Sequence, residues 1–229
     1  MDSQFTAAQI KPRNVIAVIG VAAALLLMLV LTIVISHAGI SRLERAFYSR
    51  FIYWGTVLFL LFYAWKVERQ PLLTWAEKDY GIGFFLISVV VLYLLFIAAA
   101  IVSAIPMLFG LHEKNEAVKR IAQLLKDHPA LIFFVAFTAG VTEELIFRGY
   151  MLTRLSQIFK KPYIPVIVSS LLFAAMHYSY QSWREVIFAF LIGIIFSIYY
   201  LKYRNIKALM VTHFLIDFIS MNLAQHFKV

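Results

Sequence analysis

The sequence predicts an all-α polytopic membrane helix bundle of about seven transmembrane helices, with one amphipathic helix lying at the interface. Three observations predict it. Hydrophobic residues make up 62% of the 229 positions and charged ones only 14%, whereas soluble domains are nearer half apolar and a quarter charged. The apolar residues come in runs of about 20, enough for a helix to cross a hydrocarbon core. The cations behind the net charge of +9 stand singly or in pairs between those runs. In that position they set topology and meet anionic lipid, and they form no basic face for nucleic acid. A single membrane domain over 1–229 accounts for the length. With no cysteine in the chain, disulfides, thiolate catalysis and iron–sulfur or Cys-ligated zinc centres are excluded. Chemistry must come from carboxylates, imidazoles or hydroxyls.

Three N-terminal spans occupy 15–109. Val15 to Ser36 is an unbroken apolar run behind Lys11 and Arg13. It is too long for the apolar part of a signal peptide, despite a small-x-small sequence at Ser36-His37-Ala38, and reads as an uncleaved span. The second, Phe51 to Val67, is rich in aromatics, with Trp54, Tyr63, Trp65 and Trp75 where interfacial anchors are expected. The third runs from about Gly83 to Phe109, long enough to tilt. Over 110–128 the pattern changes: Ala117, Ile121, Leu124 and Leu125 share one helical face, with Lys119, Arg120 and Lys126 largely elsewhere. That predicts a helix on the membrane surface. His112-Glu113 begins a zincin-like motif, but position 116 is Glu116 and the HExxH spacing fails.

A four-span core is expected over 129–224. Pro129 opens a helix continuing to about Phe159, followed by spans at Tyr163 to about Ser179, about Glu185 to Tyr203, and Ile206 to about Ala224. Between seven spans the side shared by the N-terminus and the even-numbered loops carries 11 Lys and Arg against 9. In the second half the bias sharpens to six (Arg154, Lys160, Lys161, Lys202, Arg204, Lys207) against two (Arg184, Lys228). The N-terminus is therefore expected in the cytoplasm and the C-terminus outside.

The helix after Pro129 is interrupted by Thr142 to Gly149, TEELIFRG. At the centre of a span each Asp, Lys or Arg costs roughly 2.5 to 3.5 kcal/mol, so Glu143, Glu144 and Arg148 need partners or water. Ionisable groups at such depth are functional by default. On an α-helix Glu144 and Arg148 are i,i+4 neighbours able to pair, while Glu143 points about 100° away. Glu143 then needs a cavity or a partner on another span, and His177, His213 and Asp217 are the candidates. Span midpoints near Gly140, Leu171 and Ile216 predict that His177 and His213 differ in depth by about 13 Å unless tilt closes the gap.

Three motifs thus stand in order: Glu143-Glu144-x-x-x-Arg148, Phe173-x-x-x-His177 and His213-x-x-x-Asp217. Their combination, over roughly Pro129 to Leu223, resembles the CAAX protease and bacteriocin-processing (CPBP or Abi) family, which includes the type II CAAX prenyl endopeptidases. The resemblance implies an intramembrane endopeptidase in which Glu143 and His177 activate water and His213, with position 217, stabilises the oxyanion. Glu144 and Arg148 would support the site. It also implies a peptide or protein substrate near the membrane, either prenylated or a bacteriocin precursor. Physical chemistry agrees in outline, because a carboxylate in a low-dielectric cavity is a stronger base than one in water. An imidazole N–H also suits a developing oxyanion. Asp217 stands where prenyl endopeptidases commonly carry asparagine. It is either protonated by burial or, our preferred reading, holds His213 cationic and oriented from i,i+4.

Three other readings remain open on the sequence. Glu143 or Glu144 with His177 and His213 makes a His2Glu zinc set, although without paired ligands on one helix. A non-catalytic bacteriocin-immunity or scaffold protein would use the same cavity for binding. A proton-coupled transporter also fits buried acids, but no inverted repeat or pair of broken helices is present.

Overall fold

The computed structural model describes residues 7–110, 117–180 and 182–226. Among them the chain forms no strand, one short 3-10 helix at His177–Tyr180, and eight α- or mixed α/π-helices. These are α1 (Ala7–Ser36), α2 (Arg42–Glu68), α3 (Gly81–Leu108), α4 (Ala117–Leu124), α5 (Pro129–Ile158), α6 (Tyr163–Met176), α7 (Trp183–Tyr203) and α8 (Ile206–Ala224). Local signals set several boundaries. Ser41 and Glu44 form a capping box at the start of α2, Pro129 occupies the first turn of α5, and Ser182 and Asn205 cap α7 and α8.

Six of these helices (the described part of α1 from Asn14, then α2, α3, α5, α7 and α8) are long and apolar enough to span, with mean hydropathy from 1.2 to 3.1. The protein is an integral membrane protein. Helix α6 is shorter than the expected fifth span: its 14 residues rise about 21 Å, less than the ~30 Å of a hydrocarbon core. It still carries the chain from one face of the bundle to the other. On one face the chain before α3 meets the ends of α5 and α7, where Arg154 donates to Leu72 O (3.0 Å), Gln157 to Gln70 (3.1 Å) and Lys78 N–H to Arg204 O (2.9 Å). On the opposite face Ser36, Arg42, Leu125, Arg184 and Met221 line one cavity. Among the described residues six helices qualify as spans, against about seven expected, and α6 is a shorter apolar helix between them.

Helix α5 is the centre of the bundle. Its most apolar window is 61% buried, against 17% in α3, whose exposed side chains such as Ile82, Leu94 and Ile101 form a lipid-facing surface. Gly140 lets α5 meet α8 backbone to backbone, since a Cβ there would lie 2.7 Å from Phe214 N and 2.9 Å from Met210 O. Ser169 Oγ of α6 donates to Phe147 O (3.0 Å), and Trp54 Nε1–H of α2 donates to Thr138 Oγ1 (3.2 Å). Such interhelical polar contacts and small-residue approaches hold helices together where lipid removes the hydrophobic drive.

Several expectations change. Trp54 bonds inside the bundle, Tyr63 O–H reaches Ile16 O (2.8 Å), and Trp75 packs on Tyr200 with ring centroids 5.4 Å apart. Of the four aromatics read as interfacial anchors, Trp65 alone is mostly exposed, at 65%. Arg154, counted as a loop cation, is fully buried and bonds Glu68 at 2.6 and 2.9 Å, which leaves five cations on its side of the second half. Helix α4 forms within the expected amphipathic stretch, but Ile121, Leu124 and Leu125 line the cavity. That apolar edge therefore covers protein.

Candidate active site

The acidic pair stands on a π-helical stretch. From Ala139 to Leu152 helix α5 takes the wider i→i+5 turn, a geometry that occurs mostly as single turns and often at functional sites. Each residue then turns by less than on an α-helix, so consecutive side chains diverge less. Glu143 and Glu144 consequently flank one imidazole on α8. His213 Nδ1 lies 2.8 Å from Glu144 Oε1, and its Nε2 lies 3.9 Å from Glu143 Oε2 and 3.8 Å from Asp217 Oδ2.

Glu144 is the hub. Its Oε1 also accepts from Arg148 Nη1 at 2.9 Å, the expected i,i+4 pair, with both side chains essentially buried. The Arg148 guanidinium lies 4.5 Å from the Phe173 ring centroid and 5.3 Å from that of Phe196, inside cation–π range. Glu144 Oε2 and Arg148 Nε and Nη2 have no hydrogen-bond partner among the described residues. The ion pair thus rests on one oxygen, while aromatic faces take up the rest of the cation. An ionised carboxylate only accepts, so His213 donates its Nδ1–H to Glu144 and turns Nε2 toward Glu143 and Asp217. The orienting bond that the sequence reading assigned to Asp217 therefore comes from Glu144. Asp217 stands beyond hydrogen-bond distance, with its side chain 31% exposed.

His177 closes α6 at the end of the helix. Its Nδ1 lies 2.9 Å from Phe173 O; a carbonyl cannot donate, so Nδ1 carries a proton there. Phe173 joins the two imidazoles, its centroid 4.6 Å from that of His177 and 6.4 Å from that of His213. Phe173 thus packs against both rings, and both line the same cavity.

Glu143, His177, His213 and Asp217 all line a single cavity of about 810 Å³. Its walls come from both ends of the sequence: Phe173 and Ile216 from the core, Tyr53 and Arg50 from α2, Phe96 and Ser103 from α3. The sequence reading missed the contribution of α2, whose charged first turns read only as the flank of a span. Among the described residues no group of three or more His, Asp or Glu side chains is arranged to hold a metal ion. Glu144 Oε1 and His213 Nδ1, two atoms of the conceived zinc set, are committed to each other. His112-Glu113 lies outside the described residues.

Two imidazoles, one of them held by a buried carboxylate, and a further carboxylate on one cavity are a set of groups suited to moving protons to and from a water molecule. No curated protein and no solved structure matches the chain. Residues 126–219, which carry every one of these polar side chains, match the family model described as type II CAAX prenyl endopeptidase Rce1-like, and so support a CAAX-type membrane protease.

Proposed function

We propose that the chain is an intramembrane endopeptidase that hydrolyses a peptide bond with a water activated by Glu143 and His177. The observation that carries this is the shared cavity, in which both imidazoles pack on Phe173 and His213 faces Glu143. In the proposed cycle Glu143 takes a proton from water as its oxygen attacks the carbonyl carbon. His213 donates Nε2–H to the oxyanion, as an imidazolium whose counter-ions are the carboxylates at 2.8, 3.8 and 3.9 Å. The intermediate collapses as the C–N bond breaks and the proton held by Glu143 passes to the leaving amine. His177, on the same cavity, orients that water. Glu144 and Arg148 act through His213 and touch no substrate.

Glu143→Gln separates this reading from an immunity or scaffold role. Removing a general base typically lowers rate by about 10² to 10⁴, so hydrolysis should fall by that factor while peptide binding survives. Binding by the wild type with no hydrolysis that Glu143→Gln abolishes would establish the scaffold role, and loss of hydrolysis with a chelator would establish the zinc alternative. The substrate class follows from orientation. If the cation-rich side is cytoplasmic, the cavity opens away from the cytoplasm, where a secreted peptide of the bacteriocin type would meet it. The opposite orientation favours a prenylated C-terminal segment, the substrate named by the family description.

A further inference from the structure

The cycle above gives the oxyanion one donor, the Nε2–H of His213. Position 217, one turn further along α8, is an acid, and an ionised carboxylate accepts hydrogen bonds but gives none. Oxyanion sites gain from a second fixed donor. The hydroxyl groups on the cavity are those of Thr32, Ser36, Ser49, Tyr53, Ser103 and Ser220. Ser36, Ser49 and Ser103 are committed to carbonyls of their own helices, Ile33 O at 2.7 Å, Ala46 O at 3.1 Å and Ala100 O at 2.9 Å. The Tyr53 O–H donates to no described residue.

Helix register separates Tyr53 from the other two. Helix α2 runs parallel to α5, with Trp54 bonded to Thr138 at 3.2 Å and packed on Phe137 with ring centroids 6.4 Å apart, so Tyr53 is level with Phe137. Helix α8 runs antiparallel to α5 and meets Gly140 between Met210 and Phe214, so His213 is level with Ala139. The phenol and the imidazole therefore leave their helices within about 3 Å of one depth, one on each side of α5. Ser220 stands about 10 Å nearer the cavity mouth than His213. The bond from Tyr63 to Ile16 O in the antiparallel α1–α2 pair sets Thr32 level with Phe47, about 9 Å nearer the mouth than Tyr53. Charge places the phenol beside the base as well, because Tyr53 and Asp217 both lie within electrostatic range of Glu143 and of Arg50. Arg50, which lines the cavity with Arg42 and Arg45, lies 5.0 Å over the Tyr53 ring, inside cation–π range, and holds it from one face.

We propose that the Tyr53 O–H is the second hydrogen-bond donor to the oxyanion, opposite the Nε2–H of His213. This rests on the hydrolase reading and adds a catalytic residue to it. The phenol keeps its proton throughout. Its bond strengthens as the carbonyl oxygen takes up charge, so it favours the transition state over the bound peptide. A side-chain amide at position 217 would give the same bond, and the carboxylate found there leaves that task to Tyr53.

The test uses the full chain in nanodiscs with fluorescence-quenched randomised decapeptides. Tyr53→Phe removes a hydroxyl with no protein partner to strand, so the fold should be kept. Its kcat should fall by about 10² to 10³, the loss typical of one oxyanion donor, with KM unchanged. Adding Asp217→Asn to Tyr53→Phe should recover about tenfold, since the new amide can donate. Phosphonamidate versions of the peptides, whose tetrahedral oxygens imitate the intermediate, should bind wild type about tenfold or more tighter than Tyr53→Phe, while the parent peptides bind both alike. If Tyr53→Phe keeps kcat within about twofold of wild type while Glu143→Gln abolishes cleavage, Tyr53 is no donor and the hydrolase stands. A fall in kcat with phosphonamidate affinity unchanged is an effect of packing and overturns the proposal too. Absence of any cleavage sensitive to Glu143→Gln overturns the hydrolase and the proposal with it.

Discussion

Glu144 carries more of the local energetics than its neighbours, because one oxygen serves two partners while the whole side chain is buried. Glu144→Gln removes the charge that compensates Arg148 and leaves a guanidinium stranded among phenyl rings. Breaking a buried pair from one side costs about 3 to 5 kcal/mol, so unfolding in detergent should move to markedly lower temperature. Asp217→Asn should cost less than Glu144→Gln, since Asp217 stands 3.8 Å from the imidazole, beyond hydrogen-bond distance, with its side chain 31% exposed. It should also keep most of the hydrolytic activity, because Glu144 orients His213. If Asp217→Asn destabilises as much as Glu144→Gln, then Asp217 holds the imidazole.

The π-helical part of α5 matters because it brings two consecutive carboxylates to one ring, and its approach to α8 depends on Gly140. Gly140→Ala sets a methyl group against Phe214 N and Met210 O, backbone atoms that move only if the helices separate. Overpacking of this kind costs about 1 to 3 kcal/mol, and here it also lengthens the Glu144–His213 bond. Thermal unfolding and kcat should therefore fall together. Gly149→Ala meets Leu73 Cδ2 at 2.6 Å, the flexible end of a side chain, and should be the milder change in both measurements.

Across the bundle the two faces divide the work. One is stitched shut: Glu68 holds Arg154 and Tyr150, and Glu77 accepts from Tyr200 O–H and Ile206 N–H at 2.8 and 2.7 Å. The other holds the cavity and its arginines. Three of the nine cations on that side are Arg42, Arg45 and Arg50, so the weak overall charge bias has a local cause, and the sharper bias of the second half is the better guide to topology. The chain lacks cysteine, which makes single-cysteine labelling direct. With the cation-rich side in the cytoplasm, His37→Cys should react with an impermeant thiol reagent on intact cells and Lys161→Cys only after permeabilisation. The reverse pattern inverts the protein and points to the prenylated class of substrate.

The membrane fold and the polar residues buried within it were legible in the chain, because a bilayer penalises every buried charge and thereby marks the few that remain. The pairing of Glu144 with Arg148 was legible too, since i,i+4 contacts are local. Three features needed the packed bundle. The wider turn of α5 depends on its contacts with neighbours and has no period of its own in the sequence. The choice of Glu144 over Asp217 as the partner of His213 is a matter of about an ångström between helices 69 residues apart in the chain. The arginines of α2 looked like the flank of a span, because a cation at a helix end reads alike whether it faces lipid headgroups or a cavity. Which of these it meets depends on how the neighbouring helices close around it.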